Sequence, residues 1–179
     1  MSSGRLTPFS YAVLALIGEG GAGPHDLASM MRRGSIYWAA AESQWYGEPK
    51  RLESLGYLRS EKRPGKTTSR THYLLTPKGR EALRAWLARP SSLPRMQNEA
   101  IVRVLAGDLG DDESLRASLD GMRADIETAR ANLDAAAVVT ESLPHRRRYL
   151  DLIHRYGRAL LDFHEQWLDE ADRELRRAP

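Results

Sequence analysis

The stretch GYLRSEKRPGKTTSRTHYLLTPKG, residues 56–79, decides how this chain folds. Tyr57 to Glu61 and Thr71 to Leu75 read as two short strands, with turn and breaker residues between them. Lys62, Arg63, Lys66 and Arg70 crowd around the Pro64-Gly65 turn, and no acid lies between Lys62 and Arg70. A loop does not need this much charge, and a core cannot bury it. Thr76-Pro77 then pairs an N-cap with a proline at the first helical position. Ala82, Leu83, Trp86 and Leu87 give the helix that follows one apolar face.

Upstream, Thr7-Pro8 is the same cap signature. Phe9, Val13, Leu16 and Ile17 follow at helical spacing, and the glycines from Gly18 to Gly23 stop that helix. Pro24 opens a second short helix with Leu27, Met30 and Met31 inward. Residues 35–40, SIYWAA, carry no clear signal. Ser43 reads as the N-cap of a third helix with Trp45, Pro49, Leu52 and Leu55 on one face and Gly56 at its end. Pro49 sits beyond the first turn, where proline is tolerated. The sequence leaves two options: a kink there, or a regular helix that begins nearer Pro49.

The stretch ARPSSLPR, residues 88–95, is a joint, with two prolines and two serines between periodic segments. It divides the chain into residues 1–90 and 91–179. Beyond it, Glu99 to Ala106 is a short helix. Leu115, Leu119, Met122, Ile126, Ala129, Leu133 and Ala136 alternate at spacings of four and three, a coiled-coil seam. After Pro144, Ile153, Tyr156, Leu160, Phe163 and Trp167 repeat the pattern. The two seams fit an antiparallel hairpin or a dimer interface. Dimerisation is favoured because two helices alone make a thin core.

Bulk composition is that of a soluble globular protein, with 41% hydrophobic and 28% charged residues in 179. The absence of cysteine excludes disulfides, thiolate nucleophiles and thiolate metal sites, and fits a reducing cytoplasm. The apolar run YAVLALI, residues 11–17, is far short of a membrane span. Net charge is only +3, but residues 1–94 carry +7 and residues 95–179 carry −4. A basic half suits a polyanion.

The first half therefore reads as a winged helix-turn-helix: three helices, a two-stranded hairpin wing, then a helix. In that arrangement the third helix enters the major groove and the wing meets the backbone. Residues 46–80 hold nine basic residues against Glu48, Glu53 and Glu61. Lys62, Arg63, Lys66 and Arg70 on the wing could neutralise phosphates and release counterions. On the third helix Ser43, Gln44, Tyr46, Gly47, Lys50 and Arg51 lie opposite the apolar face. Tyr46 suits a phosphate contact, although partial core packing is as plain an explanation. Gly47 permits close approach. Lys50 or Arg51 could reach guanine or a phosphate. A solvated hairpin is the commoner meaning of a lone basic turn, but a weaker one beside a matching recognition helix.

The run SQWYGEPKRLESLGYL, the wing, and then YLLTPKGREALRAWL together resemble the PadR family of bacterial transcriptional regulators. LTPFSYAVLALI is similar to that family's first helix, and the C-terminal half to its helical dimerisation domain. The resemblance implies a mainly α fold with a β-hairpin wing and a coiled-coil-like dimerisation domain. It also implies a cytoplasmic homodimeric repressor that acts on double-stranded DNA and is released by a small ligand; a two-fold dimer through the seams would make the operator an inverted repeat. One departure is PHDL, with His25 where the family often carries an aromatic. Trp86 and Trp167 are the candidate residues for a small aromatic or apolar effector.

Other function classes fare worse. The five histidines form no metal-binding pair of the HExxH kind, and there is no nucleophile elbow or Walker loop. GEGGAG, residues 18–23, follows a helix rather than a strand and is no dinucleotide fingerprint. No enzyme, cofactor or metal is expected. HRRRY, residues 145–149, reads as a solvated helix start. The remaining alternative is a coiled-coil interaction protein with an incidental basic lobe.

Overall fold

The computed structural model of the chain describes residues 5–37, 40–64 and 69–177. The chain divides into two compact units at Ser92 and Leu93, inside the proline-serine joint.

The first unit runs α1 (Pro8–Ile17), α2 (Pro24–Arg33), α3 (Glu42–Ser54), β1 (Leu58–Arg63), β2 (Arg70–Leu75) and α4 (Pro77–Leu87). Thr7 and Thr76 cap α1 and α4 with their side chains, as their Thr-Pro pairs predict. The strands pair antiparallel from Leu58 opposite Leu75 to Arg63 opposite Arg70. Val13, Leu14, Ile17, Leu27, Leu52 and Leu58 are at most 2% exposed and form the centre of the core, with Tyr73 and Leu75 beside them. Burying each such aliphatic side chain contributes about 1.5–3 kcal/mol.

The glycine run after α1 has a packing task. Ala22 exchanges backbone hydrogen bonds with Tyr73, which adds a short bridge to the hairpin. Gly21 has φ +74°, and a Cβ there would lie 2.6 Å from the Tyr73 carbonyl oxygen. Only glycine lets the chain pass so close to β2.

The start of α3 differs from the sequence expectation. Its N-cap is Ala41, and Ser43 lies inside the helix. The Gln44 side-chain oxygen accepts from the Ala41 N–H at 3.2 Å, which satisfies the N-cap residue's own donor rather than one in the first turn. The helix runs on through Pro49, which is buried in the core. Proline there leaves the Trp45 carbonyl without its helical donor, at a cost of about 3 kcal/mol that core burial must offset.

The second unit is helical: α5 (Glu99–Leu105), a 3-10 turn (Gly107–Leu109), α6 (Asp112–Asp120), α7 (Met122–Glu141) and α8 (Arg147–Leu175). The expected first seam is split at Gly121 but keeps its face, with Leu119, Ile126 and Leu133 buried at a seven-residue spacing. The second seam is not the face that packs inward. On α8 the buried residues are His154, Gly157, Leu161 and Leu168, one position beyond the expected set. Ile153 (46%), Tyr156 (55%) and Phe163 (57%) stay about half exposed, and Tyr149 continues their stripe.

Ion pairs fix this rotation. Arg116, Arg123 and Arg130 recur every seven residues along α6 and α7 and reach Asp172, Asp169 and Asp162 of α8 at 2.9, 2.8 and 2.7 Å. Arg158 of α8 returns the bridge to Asp134 at 2.9 Å. Turning α8 to bury the aromatic stripe would break all four.

Candidate nucleic-acid interface

The outward face of α3 carries exposed Ser43, Gln44, Tyr46, Gly47 and Lys50. A Cβ at Gly47 would meet nothing within 4 Å, so glycine there leaves the helix surface bare rather than relieving a clash. An open groove of about 290 Å³ follows this face, lined by Phe9, Ser43, Gln44, Gly47, Glu48 and Arg51. No hydrogen bond or ion pair engages Lys50 among the described residues.

Arg51 turns inward. Its Nε and Nη2 donate to Glu48 at 2.8 and 2.7 Å, and Nη2 donates to Ser10 Oγ at 3.0 Å. Ser10 Oγ donates to Glu48 Oε1 at 2.6 Å and accepts the Thr7 N–H at 2.9 Å. Burial pushes the Glu48 carboxyl up, but the hydrogen bonds from Arg51 and Ser10 outweigh it and hold the group below its ordinary range. The Glu48 hydrogen bond in turn raises Arg51. This cluster joins the first turn of α1 to the middle of α3 and sets how α3 presents its outer face. Sequence reasoning missed Ser10 and Glu48. The signal was the three-residue spacing of Glu48 and Arg51, which puts opposite charges on one helix face.

The wing has two faces. Strand alternation puts Arg59, Glu61 and Arg63 on one, beside their partners Leu74, His72 and Arg70. Glu61 accepts from Arg59 Nη1 at 3.2 Å and from Arg63 Nε at 2.7 Å. These hydrogen bonds, Arg63 first, lower its carboxyl below the ordinary range. Arg63 stands directly opposite Arg70 at the end of the ladder. Like charges so placed are destabilising. Lys62 lies on the other face and donates to Thr71 Oγ1 at 3.1 Å. Lys66 lies outside the described residues.

Besides Arg51, two more of the nine basic residues between 46 and 80 serve the fold. Lys78 donates to the Leu55 carbonyl at 2.7 Å, which caps α3, and sits 4.5 Å above the Tyr57 ring. Arg80 donates to the Leu75 carbonyl at 2.8 Å and pairs with Glu19. Of the two candidate effector residues, Trp86 stacks on Tyr11 with centroids 4.8 Å apart and planes 9° apart. Trp167 is half-buried on the aromatic stripe of α8.

Comparison with solved structures settles the fold. Bacillus subtilis PadR in complex with operator DNA superposes with a TM-score of 0.70 at 19% identity, over 94% of this chain and 99% of that one. The fold is that of the PadR regulators. A PadR-like transcriptional regulator of Bacillus cereus gives a TM-score of 0.73 at 16% identity, over 96% and 99% of the two chains. Bacillus subtilis PadR in complex with p-coumaric acid gives 0.61 at 20% identity, over 94% and 99%. No family model matches the sequence, and no curated protein matches it. The PadR fold comprises both units, wing and C-terminal helices alike. No described helix is long and apolar enough to cross a membrane.

Proposed function

We propose that this chain is a sequence-specific DNA-binding transcriptional regulator, a homodimeric cytoplasmic repressor relieved by a small aromatic or apolar ligand, and not an enzyme. The observation that carries the reading is the pairing of two basic elements in one unit. The bare, exposed face of α3 holds Lys50, and the wing sets Arg63 against Arg70. A phosphate between those guanidinia removes the repulsion that the free wing bears. A protein of the same fold is solved on operator DNA, which supports the same use of these elements here.

Ser43, Gln44, Tyr46 and Lys50 are the base-facing and backbone-facing candidates of α3, with Gly47 giving room for close approach. Lys62, Arg63, Lys66 and Arg70 are the phosphate contacts of the wing. Arg51 acts through Glu48 and Ser10, by holding α3, more than by touching DNA. The homodimer rests on the α8 stripe of Tyr149, Ile153, Tyr156, Leu160, Phe163 and Trp167, whose heptad spacing suits a second copy. An effector is supported by the p-coumaric acid complex of the Bacillus subtilis protein. Trp86 gives one ring face to Tyr11 and Trp167 is half-buried, so each indole offers only part of its ring to a planar ligand.

Protection mapping of the DNA upstream of the protein's own gene tests the reading. An inverted repeat should be protected, with half-sites about one helical turn apart, roughly 34 Å. A direct repeat, or no protection at low salt, sinks it. The latter outcome would favour a coiled-coil interaction protein.

A further inference from the structure

Glu61 is the one acidic residue in either wing strand. A carboxylate at the edge of a surface built for phosphate is costly, because it repels the ligand and lowers the local potential. It also makes two ion pairs on this face, to Arg59 at 3.2 Å and Arg63 at 2.7 Å. Each bond reaches two residues along β1, so one carboxylate holds the guanidinia on both sides of it. Pairs of this kind on exposed strands are commonly weak surface pairs with no further meaning. Three features argue against that here. Both carboxylate oxygens are used, one for each arginine. The face also carries Arg70, which has no ion pair among the described residues. A second acid near the wing, Glu53, is committed to the Ser60 N–H at 2.9 Å.

We infer that Glu61 is an internal counter-ion that competes with DNA phosphate for Arg59 and Arg63 and so holds down the affinity of the wing. In the free protein the carboxylate satisfies both guanidinia and offsets part of the repulsion between Arg63 and Arg70. On DNA the phosphates take those donors, and the carboxylate is left facing the backbone. Phosphate contacts carry no sequence information, so this competition lowers binding to all duplexes by a similar factor. It leaves discrimination to α3. Arg59, outside the set that sequence reasoning selected, becomes a backbone contact through the same bond. The inference rests on the DNA-binding reading.

The test compares the wild-type protein with Glu61→Gln on a short labelled duplex, read by fluorescence anisotropy across a salt series. Glu61→Gln should bind about three- to tenfold tighter at low salt. Its log–log salt dependence should steepen by roughly one to two units as the freed arginines reach phosphates. In an Arg59→Ala/Arg63→Ala background the same substitution should give little gain. Glu61→Thr, which keeps a strand-favouring residue there, guards against a loosened wing. If both Glu61 variants bind no better than wild type, or if the gain survives without the two arginines, the inference is wrong. A wild-type protein that binds no duplex at low salt removes the DNA-binding reading and the inference together. A wild type that binds while both variants leave affinity and slope unchanged removes only the inference.

Discussion

Ser10 Oγ donates to Glu48 Oε1 at 2.6 Å, and this bond ties the first turn of α1 to the middle of α3. Ser10 is fully buried, and the Glu48 side chain is 12% exposed. Removing the hydroxyl takes one donor from a carboxylate that Arg51 still holds, and leaves the Thr7 N–H without its acceptor. Ser10→Ala should therefore cost about 1–3 kcal/mol in denaturant unfolding. It should also weaken DNA binding at temperatures where the protein stays folded, because α3 loses its tether. Unchanged stability would mean the cluster is idle.

The same cluster sets an acid limit. Glu48 has a lowered carboxyl in the folded chain, so its contribution is present above its unfolded value of about 4.3. It is lost as pH falls through the lower folded value. Glu48→Gln should be less stable than wild type at neutral pH and should close that gap under acid. Thermal melts at a series of pH values read the difference directly.

His154 gives the second unit its own pH dependence. Burial pushes its ring below the ordinary range, and Arg158 adds to this against Asp151. The neutral ring belongs to the folded state, so its contribution is present above an unfolded value of about 6.5. It is lost as pH falls through the lower folded value. His154→Gln should flatten the melting-temperature profile between neutral and mildly acidic pH. A profile as steep as that of wild type would assign the slope to another group.

Ion pairs along α7 and α8 choose which α8 stripe faces inward. Arg130 bonds both Asp162 and Glu165 at 2.7 Å, yet both acids are about half exposed and Arg130 a third, so Arg130→Ala should change stability little. Charge reversal at Arg130 should destabilise more, and reversing Asp162 and Glu165 as well should restore the loss. A restored melting temperature marks the ladder as a register device.

The two DNA elements should separate under mutation. Arg70→Ala should weaken binding to every sequence by a similar factor and lower the salt slope by roughly one unit. Lys66→Ala should do the same. Lys50→Ala should instead relax preference at one operator position. Anisotropy titrations with single-base operator variants distinguish the two patterns.

The elements of the first unit were legible because their ends carry unambiguous chemistry. Thr7-Pro8 and Thr76-Pro77 fix two helix starts, and Gly56 ends α3. The start of α3 was not legible, because the helix begins at Glu42, ahead of the Ser43 signal, with Ala41 as an N-cap that has no polar side chain. On α8 two heptad stripes run side by side, and periodicity alone cannot say which packs on α7. The choice falls to arginines on α6 and α7, seven residues apart, that meet acids distant in sequence. Within the interface the basic residues were visible, but their commitments were not. Arg51, Lys78 and Arg80 count as positive charge in the sequence, and in the fold they hold α1, α3 and β2.

The central claim is that this chain reads one DNA sequence through α3 and grips its backbone through the wing. The most direct measurement is equilibrium binding to the protected inverted repeat and to a scrambled duplex across a salt series. The repeat should bind at least ~10³-fold tighter than the scramble at physiological salt, with affinity falling steeply as salt rises. Equal affinity for both duplexes, or affinity indifferent to salt, would contradict it.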